Sequence, residues 1–282
     1  MSDGPARPLL PAAQRWAELL AAWALPDEIL EQAPESPWFH DPHRFAVDDT
    51  IDRTTTSNRW AREVMPPAGG TVLDVGCGGG RSALPLVPPA TELIGVDSSG
   101  AMLDRFVAAA IAGGVARRTV HGVWPDVAYQ TPAADVVVCH HVAYNVGDLA
   151  PFLLALTDHA RLAVVTELPT AHPMSAWAPA WQHFWGIARP DGPTADDFVA
   201  VVRELGLDPE VTVGRRGPLS TAATDPEVLV ATTRRRLCLP ADRDREIAEW
   251  LEAHPPSFAQ QVVTVRWPGA AEPAPARGQP IV

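Results

Sequence analysis

The chain has 282 residues, of which 46% are hydrophobic, 20% charged and 7% aromatic, with 22 basic residues against 34 acidic ones. This composition is that of a globular protein, and the length fits one large α/β domain with additions or about two domains of ~150 residues. The net charge of −12 would repel nucleic acid and anionic membrane surfaces. Because no apolar run approaches the ~18 residues of a membrane span and no secretory signal is evident, we expect a cytoplasmic protein.

Residue usage excludes several kinds of chemistry. None of the basic residues is lysine, which rules out Schiff-base catalysis and phosphate loops that need an ammonium group. The three cysteines, Cys77, Cys139 and Cys238, lie too far apart for a disulfide framework or a C-x-x-C pair. His172 and His183 have no neighbouring carboxylate or cysteine to complete a ligand set, so we expect no metal.

Residues 1–66 are predicted to form a helical N-terminal cap. Apolar residues recur at helical spacing over 11–25, and a turn-rich stretch follows at 34–42. A second helix is expected over 57–65, where two prolines end it.

Strands and helices alternate from residue 67 to residue 268. Apolar and β-branched runs predict strands over 71–75, 92–96, 118–121, 135–139, 162–167, 209–213 and 260–267. Helices are expected over 101–112, 149–159, 195–205, 226–237 and 242–253, and an aromatic insertion at about 169–193. This alternation predicts a parallel sheet covered on both faces, followed by a disordered tail over 269–282.

A glycine turn follows the first strand, in the sequence VLDVGCGGGR over 72–81. Glycine in such a turn lets the backbone approach a ligand closely. A dinucleotide loop would read G-x-G-x-x-G, but Arg81 stands at its last glycine. Asp74 would repel a pyrophosphate and favour a cationic ligand with sulfonium and ammonium groups. Asp97, at the end of the second strand, is placed to accept from ribose hydroxyls.

Segment 72–80, together with LIGVDSSGAML over 93–103, resembles the first two motifs of the class I S-adenosylmethionine-dependent methyltransferases. The resemblance covers about 71–167 and extends by topology to residue 267. It implies an α/β fold with a Rossmann-like, seven-stranded, mostly parallel sheet, helices on both faces, the helical N-terminal cap and late helical insertions. It also implies S-adenosylmethionine as the cofactor and S-adenosylhomocysteine as the product.

The resemblance assigns cofactor contacts by position. The residues that would bind the methionine and ribose part of the cofactor are Asp74, Gly76, Cys77, Gly78, Gly80 and Asp97. The residues that would bind its adenine are Ser98 and Met102. After the third strand the sequence departs from the family pattern, because Val123 stands where an acidic residue commonly receives the adenine amino group. The Val123 carbonyl and stacking by Trp124 would then replace that contact. Cys139 and His140 are placed near the cofactor, and Arg53 is a candidate for its carboxylate, although helix capping explains the polar run around Arg53 equally well.

The fourth strand ends in His140-His141-Val142-Ala143-Tyr144-Asn145, at the edge that faces the methyl group in this family. Methyl transfer to a hydroxyl requires a positioned nucleophile and removal of its proton. His141 or His140 is the candidate base, and Tyr144 and Asn145 are candidates to orient the substrate. The alternative is that these residues only support the cofactor.

Three tryptophans, Trp177, Trp181 and Trp185, recur at helical spacing after the fifth strand, where the family often carries a substrate lid. They predict a substrate-binding surface, a plain core or a dimer face.

Together these patterns predict a methyltransferase that acts on a small, partly apolar acceptor, with O-methylation slightly favoured by the two histidines. No nucleic acid or membrane partner is expected, and a homodimer is compatible with the sequence. Two alternatives stay open: a non-catalytic methyltransferase-like protein that binds the cofactor or serves as a scaffold, and a nicotinamide-dependent oxidoreductase, which Arg81 and Asp74 disfavour.

Overall fold

The computed structural model describes residues 11–38, 52–215, 225–256 and 261–272. Its strands are β1 Gly70–Val75, β2 Ala90–Asp97, β3 Ala116–His121, β4 Ala134–His140, β5 Ala160–Pro169, β6 Glu210–Arg215 and β7 Gln261–Pro268. Its α-helices are α1 Pro11–Ala21, α2 Asp27–Glu31, α3 Thr56–Val64, α4 Gly100–Ala112, α5 Leu149–His159, α6 Ala178–Trp185, α7 Ala195–Glu204, α8 Pro226–Arg236 and α9 Asp244–Ala253.

The described strands form a single seven-stranded sheet in the order β3-β2-β1-β4-β5-β7-β6. The pairs among β1 to β5 are parallel, whereas β7 runs antiparallel to both β5 and β6. The predicted α/β fold with a mostly parallel sheet is therefore confirmed. Because parallel strands end at the same edge, the carboxyl ends of β1, β2, β4 and β5 meet there.

The connection from β1 to β2 is shorter and less helical than in a regular βαβ unit. It contains one 3-10 turn, Leu84–Leu86, and no α-helix between the two strands. Pro85, Pro88 and Pro89 lie in this connection, and proline supplies no backbone N–H for a helix interior. The glycine turn therefore does not lead into a long helix.

Two apolar layers cover the sheet. One combines the sheet with α1, α5 and α7, and the other combines it with α3 and α4. Trp16 of α1 is completely buried, and its indole N–H donates to the Val146 carbonyl at 2.8 Å. Since α1 and α3 cover opposite faces, the predicted N-terminal cap supplies helices to both layers of the domain.

A third apolar cluster joins the N-terminal residues after α1 to the late helices. It contains Trp23, Leu25 and Ile29, together with residues of α6 and α9 and the segment after α8. The start of the predicted disordered tail is corrected, because the backbone N–H groups of Gly269, Ala270 and Ala271 donate to Leu162, Thr157 and Ala160. The rest of that tail, from residue 273, lies outside the described residues, as does part of the turn-rich stretch predicted at 34–42. No helix of the described part of the chain is long and apolar enough to cross a membrane.

Candidate functional site

The glycine turn after β1 is held by the end of β2. The N–H groups of Gly76 and Cys77 both donate to the Val96 carbonyl, at 2.8 and 3.0 Å. Gly76 and Gly78 have positive φ angles of 70° and 50°, which glycine adopts without steric cost. A Cβ at Gly76 would lie 2.4 Å from Val142 Cγ2, whereas a Cβ at Gly78 would meet no atom within 4 Å. The turn is thus packed on one side and open at Gly78.

Asp74 is a buried carboxylate directly before this turn. Its side chain is fully buried, and neither carboxylate oxygen has a hydrogen-bond partner among the described residues. Burial and then the charge of Asp97 raise the pKa of Asp74 to about 8, which the nearby Ala83 N–H opposes without reaching hydrogen-bond geometry. A buried carboxylate without a partner is costly, so Asp74 is suited to a cationic or N–H-bearing ligand.

Asp97 links the ends of β1 and β2. Its Oδ2 accepts from the Gly78 N–H at 2.8 Å and its Oδ1 from the Ser99 N–H at 2.9 Å. Each oxygen keeps a second lone pair, and the side chain is only partly buried. Asp97 can therefore accept hydrogen bonds from ligand hydroxyls while it holds the backbone of Gly78 in place.

The ionisable side chains at this edge share one face of the sheet. In register, Asp74 lies opposite Val138 of β4, and His140 lies opposite Glu167 of β5. Because side chains alternate along a strand, Asp97, Asp74, His140 and Glu167 all project toward the face covered by α3 and α4. The sequence-predicted aspartates and His140 are thus brought together, with Glu167 added to them.

His141 contacts Glu167 in two ways. The His141 backbone N–H donates to the Glu167 carbonyl at 2.7 Å, and the imidazole Nε2 lies 3.3 Å from Glu167 Oε1. The other carboxylate oxygen, Oε2, accepts from the Ser57 hydroxyl at 2.7 Å. His141 has φ of 61°, an uncommon conformation for a residue with a side chain, and its side chain is 42% exposed. The ring is therefore held at the site and open to a ligand.

His140 differs from its neighbour. Its Nε2 is buried and has no hydrogen-bond partner within the part of the chain that the structure describes. Burial lowers the pKa of His140 to about 4, against the raising effect of the Glu167 charge and with a further lowering effect of His141. A neutral, buried imidazole is a poorer proton acceptor for a diffusing substrate than the exposed ring of His141.

The structure corrects the predicted role of Tyr144. Its side chain is 5% exposed, and its hydroxyl donates to the Pro169 carbonyl at 2.8 Å. The ring stacks on Trp16 with centroids 5.5 Å apart. Tyr144 is therefore a core residue whose hydroxyl is satisfied, while Asn145 is exposed and donates to the Val142 carbonyl, so its contact with a substrate stays a prediction.

Of the predicted adenine contacts, some are exposed at the edge of the sheet and one is buried in the core. Ser98 and Val123 are exposed and Met102 is partly exposed, beside the carboxyl edge of β2 and β3. Trp124 is 7% exposed, donates to the Phe152 carbonyl at 3.4 Å and packs edge-on against His159. The predicted stacking of Trp124 on the adenine is therefore corrected, because its ring belongs to the core.

The remaining predicted cofactor residues are Cys77, Gly80, Cys139 and Arg53. Cys77 and Cys139 are buried in opposite apolar layers, and burial followed by the charge of Asp74 raises the pKa of both thiols, so they act as small apolar side chains. The Gly80 N–H donates to the Cys77 carbonyl at 2.8 Å and so closes the turn. Arg53 donates to the Val87 carbonyl at 2.9 Å, so its contact with a cofactor carboxylate stays a prediction.

The tryptophan stripe is a core rather than a pocket lining. Trp177 and Trp181 are 8% and 1% exposed, and both belong to the third apolar cluster. The indole N–H of Trp177 donates to Thr233 and that of Trp185 to the Leu237 carbonyl. These contacts correct the predicted substrate-binding role of Trp177 and Trp181, which pack in the core, whereas Trp185 is partly exposed and its contact with a substrate stays a prediction.

Glu167 and Ser57 were missed as site residues. Glu167 follows the same rule as Asp97, because it is an acidic residue near the carboxyl end of a buried parallel strand. Ser57 gave no comparable signal, since its link to Glu167 spans 110 positions in sequence.

The described side chains fit S-adenosylmethionine. The buried Asp74 carboxylate would receive a cationic group, Asp97 would receive ribose hydroxyls, and the open side of Gly78 leaves room for a ligand against the backbone. No group of three or more metal-binding side chains is found in the described ranges.

Known proteins resemble this chain in one matched segment and in fold. Residues 72–162 match the family model described as "Methyltransferase domain". Among solved structures, YcgJ from Bacillus subtilis is 17% identical, with a TM-score of 0.52 over 76% of this chain and 97% of that one. YjhP from E. coli is 18% identical, with a TM-score of 0.51 over 80% of this chain and 97% of that one. An S-adenosylmethionine-dependent methyltransferase from Thiobacillus denitrificans, solved with S-adenosylhomocysteine, is 19% identical, with a TM-score of 0.49 over 88% and 99%. The comparison with curated proteins gave no match.

Proposed function

Because residues 72–162 match a methyltransferase domain, we propose that the protein uses S-adenosylmethionine to methylate a hydroxyl group of a small, partly apolar acceptor. The observation that carries this proposal is the half-exposed imidazole of His141 at the same edge of the sheet as the buried, unpartnered Asp74.

The chain's own residues divide the work between binding and proton removal. Asp74 and Asp97 would hold the cofactor, which would supply a methyl group on a positive sulfur. Transfer of that methyl group to the acceptor oxygen would leave the electron pair of the broken sulfur–carbon bond on the sulfur of S-adenosylhomocysteine. His141 takes the hydroxyl proton, and a positioned base of this kind contributes about 10²- to 10⁴-fold in rate.

A small acceptor is favoured by charge as well as by geometry. The net charge of −12 opposes a polyanionic acceptor such as RNA or DNA. Beside His141, the partly exposed Val142 side chain offers apolar surface near the exposed Asn145 amide. This mixture suits a compound with an apolar body and one hydroxyl.

The test is a turnover screen with the full chain. S-adenosylmethionine is incubated with a panel of phenols and aliphatic alcohols, and matched amines, while release of S-adenosylhomocysteine is measured. The control variant is His141→Asn, because asparagine tolerates the positive φ of 61° but carries no basic ring.

We expect turnover of at least one hydroxyl compound, reduced about 100-fold or more in His141→Asn. Turnover of amines alone would overturn the hydroxyl acceptor. Cofactor binding without turnover of any compound would favour the non-catalytic, cofactor-binding alternative.

A further inference from the structure

Glu167 lies near the end of β5 and faces both the base candidate and α3. Its side chain is 12% exposed, so the carboxylate is largely removed from water. Oε1 lies 3.3 Å from Nε2 of His141, and Oε2 accepts from the Ser57 hydroxyl at 2.7 Å. Each oxygen therefore has a partner on a different structural element.

The hydroxyl groups of Ser57 on α3 and of Thr55, its N-cap residue, set the direction of the hydrogen bond to Glu167 Oε2. Ser57 is 1% exposed, and its hydroxyl donates to Glu167, so the Thr55 hydroxyl 3.0 Å away donates to the Ser57 oxygen. The Thr55 oxygen in turn accepts from the Asn58 N–H. Glu167 receives this chain of donors at one oxygen, which requires that it act as an acceptor there.

The ionisation of Glu167 agrees with that direction. Burial alone would raise the pKa of Glu167, but contact with His141, the charges of His140 and His141, and the Ser57 hydroxyl together hold that pKa at about 2. The residue opposite Glu167 on β7 is Thr264, which does not titrate. The carboxylate therefore stays ionised at any pH at which the protein would work.

We propose that Glu167 is a positioning residue that holds His141 as the tautomer protonated at Nε2 and so leaves Nδ1 unprotonated to accept the proton of the acceptor hydroxyl. An unprotonated Nε2 would place its lone pair against the carboxylate, whereas an Nε2–H donates to it. This inference rests on the proposed function, because it assigns the proton-accepting atom within that reaction.

The backbone contact makes the inference testable without moving His141. Its N–H donates to the Glu167 carbonyl, which a side-chain substitution leaves in place. Glu167→Gln keeps the size of the side chain and can still pair with Ser57, but it removes the charge that selects the tautomer. The matched control is Glu63→Gln, which removes an acidic side chain of α3 that pairs with Arg59 and Arg266 outside the site.

The first readout needs no acceptor. Nitrogen-15 spectra of the full chain, with S-adenosylhomocysteine added, report which ring nitrogen of His141 carries the proton, and His141→Asn assigns its signals. We expect the Nε2–H tautomer in the parent and in Glu63→Gln, and a mixture of both tautomers in Glu167→Gln. An Nδ1–H tautomer in the parent, or the same single tautomer in Glu167→Gln, would overturn the proposal.

The second readout uses the hydroxyl compound found in the turnover screen. We expect Glu167→Gln to lower kcat about 10-fold or more while KM for the acceptor changes little, because the ring is still present but wrongly protonated. Equal kcat in Glu167→Gln and Glu63→Gln would overturn the positioning role. A screen that finds no hydroxyl substrate contradicts the proposed function alone, since the tautomer measurement still decides the role of Glu167.

Discussion

The buried carboxylate of Asp74 predicts that this protein is more stable when that position is made neutral. Its folded-state pKa of about 8 lies above the ordinary value of 3.8, so the folded, ligand-free protein must either bury a charge or bind a proton. The stability associated with Asp74 is therefore complete below about pH 4 and is lost as pH rises toward 8.

The size of the effect follows from the pKa difference. The ordinary pKa of an aspartate lies roughly 3 pH units below pH 7. At pH 7 this difference corresponds to about 4 kcal/mol of destabilisation of the folded protein. Asp74→Asn removes this cost but buries an amide whose N–H groups lack partners, which costs about 1–3 kcal/mol. The variant should therefore gain about 1–3 kcal/mol at pH 7, or a Tm increase of about 2–5 °C.

The assay is denaturation of ligand-free protein at pH 5, 6, 7 and 8 for the parent, Asp74→Asn and Asp104→Asn. Asp104 is exposed on α4 and serves as the control for the same chemical change. We expect the difference between Asp74→Asn and the parent to grow with pH, by up to about 1.4 kcal/mol per pH unit. A variant no more stable than the parent, with an unchanged pH dependence, would refute the account of Asp74.

Three further substitutions separate the turn from the aromatic cluster. Gly76→Ala should lose about 1–3 kcal/mol of stability because its Cβ would lie 2.4 Å from Val142 Cγ2. Gly78→Ala should lose only about 1 kcal/mol, through its positive φ, yet bind S-adenosylhomocysteine more weakly because its open side faces the ligand. Denaturation and calorimetry measure both, and equal stability losses in the two variants would contradict the packing difference. Trp181→Ala should lose about 3–5 kcal/mol of stability in denaturation while its affinity for S-adenosylhomocysteine is kept, and a stable variant would contradict its core role.

Local pattern was enough to predict the sheet and the cofactor edge. The apolar runs that became β1, β2, β4 and β5 are buried on both faces, so their composition indicates strands without knowledge of their neighbours. Asp74 and Asp97 lie at fixed offsets from the glycine turn, which made their meeting predictable from the parallel order of the strands.

Side-chain roles at longer range were not predictable in the same way. The helical period of Trp181 is equally consistent with a pocket and a core, and only the packing of α2, α6 and α9 decides between them. Tyr144 follows the strand end that faces the ligand, but Trp16 from α1 covers it. Ser57 reaches Glu167 only through the docking of α3 on β5, which no local pattern encodes.

We propose that the glycine turn and its two aspartates bind S-adenosylmethionine. Calorimetry of the purified full chain with S-adenosylmethionine, S-adenosylhomocysteine and NAD, in the parent and in Asp97→Ala, measures this binding. We expect micromolar binding of the first two ligands, weaker by about 5- to 150-fold in Asp97→Ala, which corresponds to about 1–3 kcal/mol for unpaired ribose hydroxyls. NAD binding tighter than S-adenosylhomocysteine binding, or an affinity unchanged in Asp97→Ala, would contradict it.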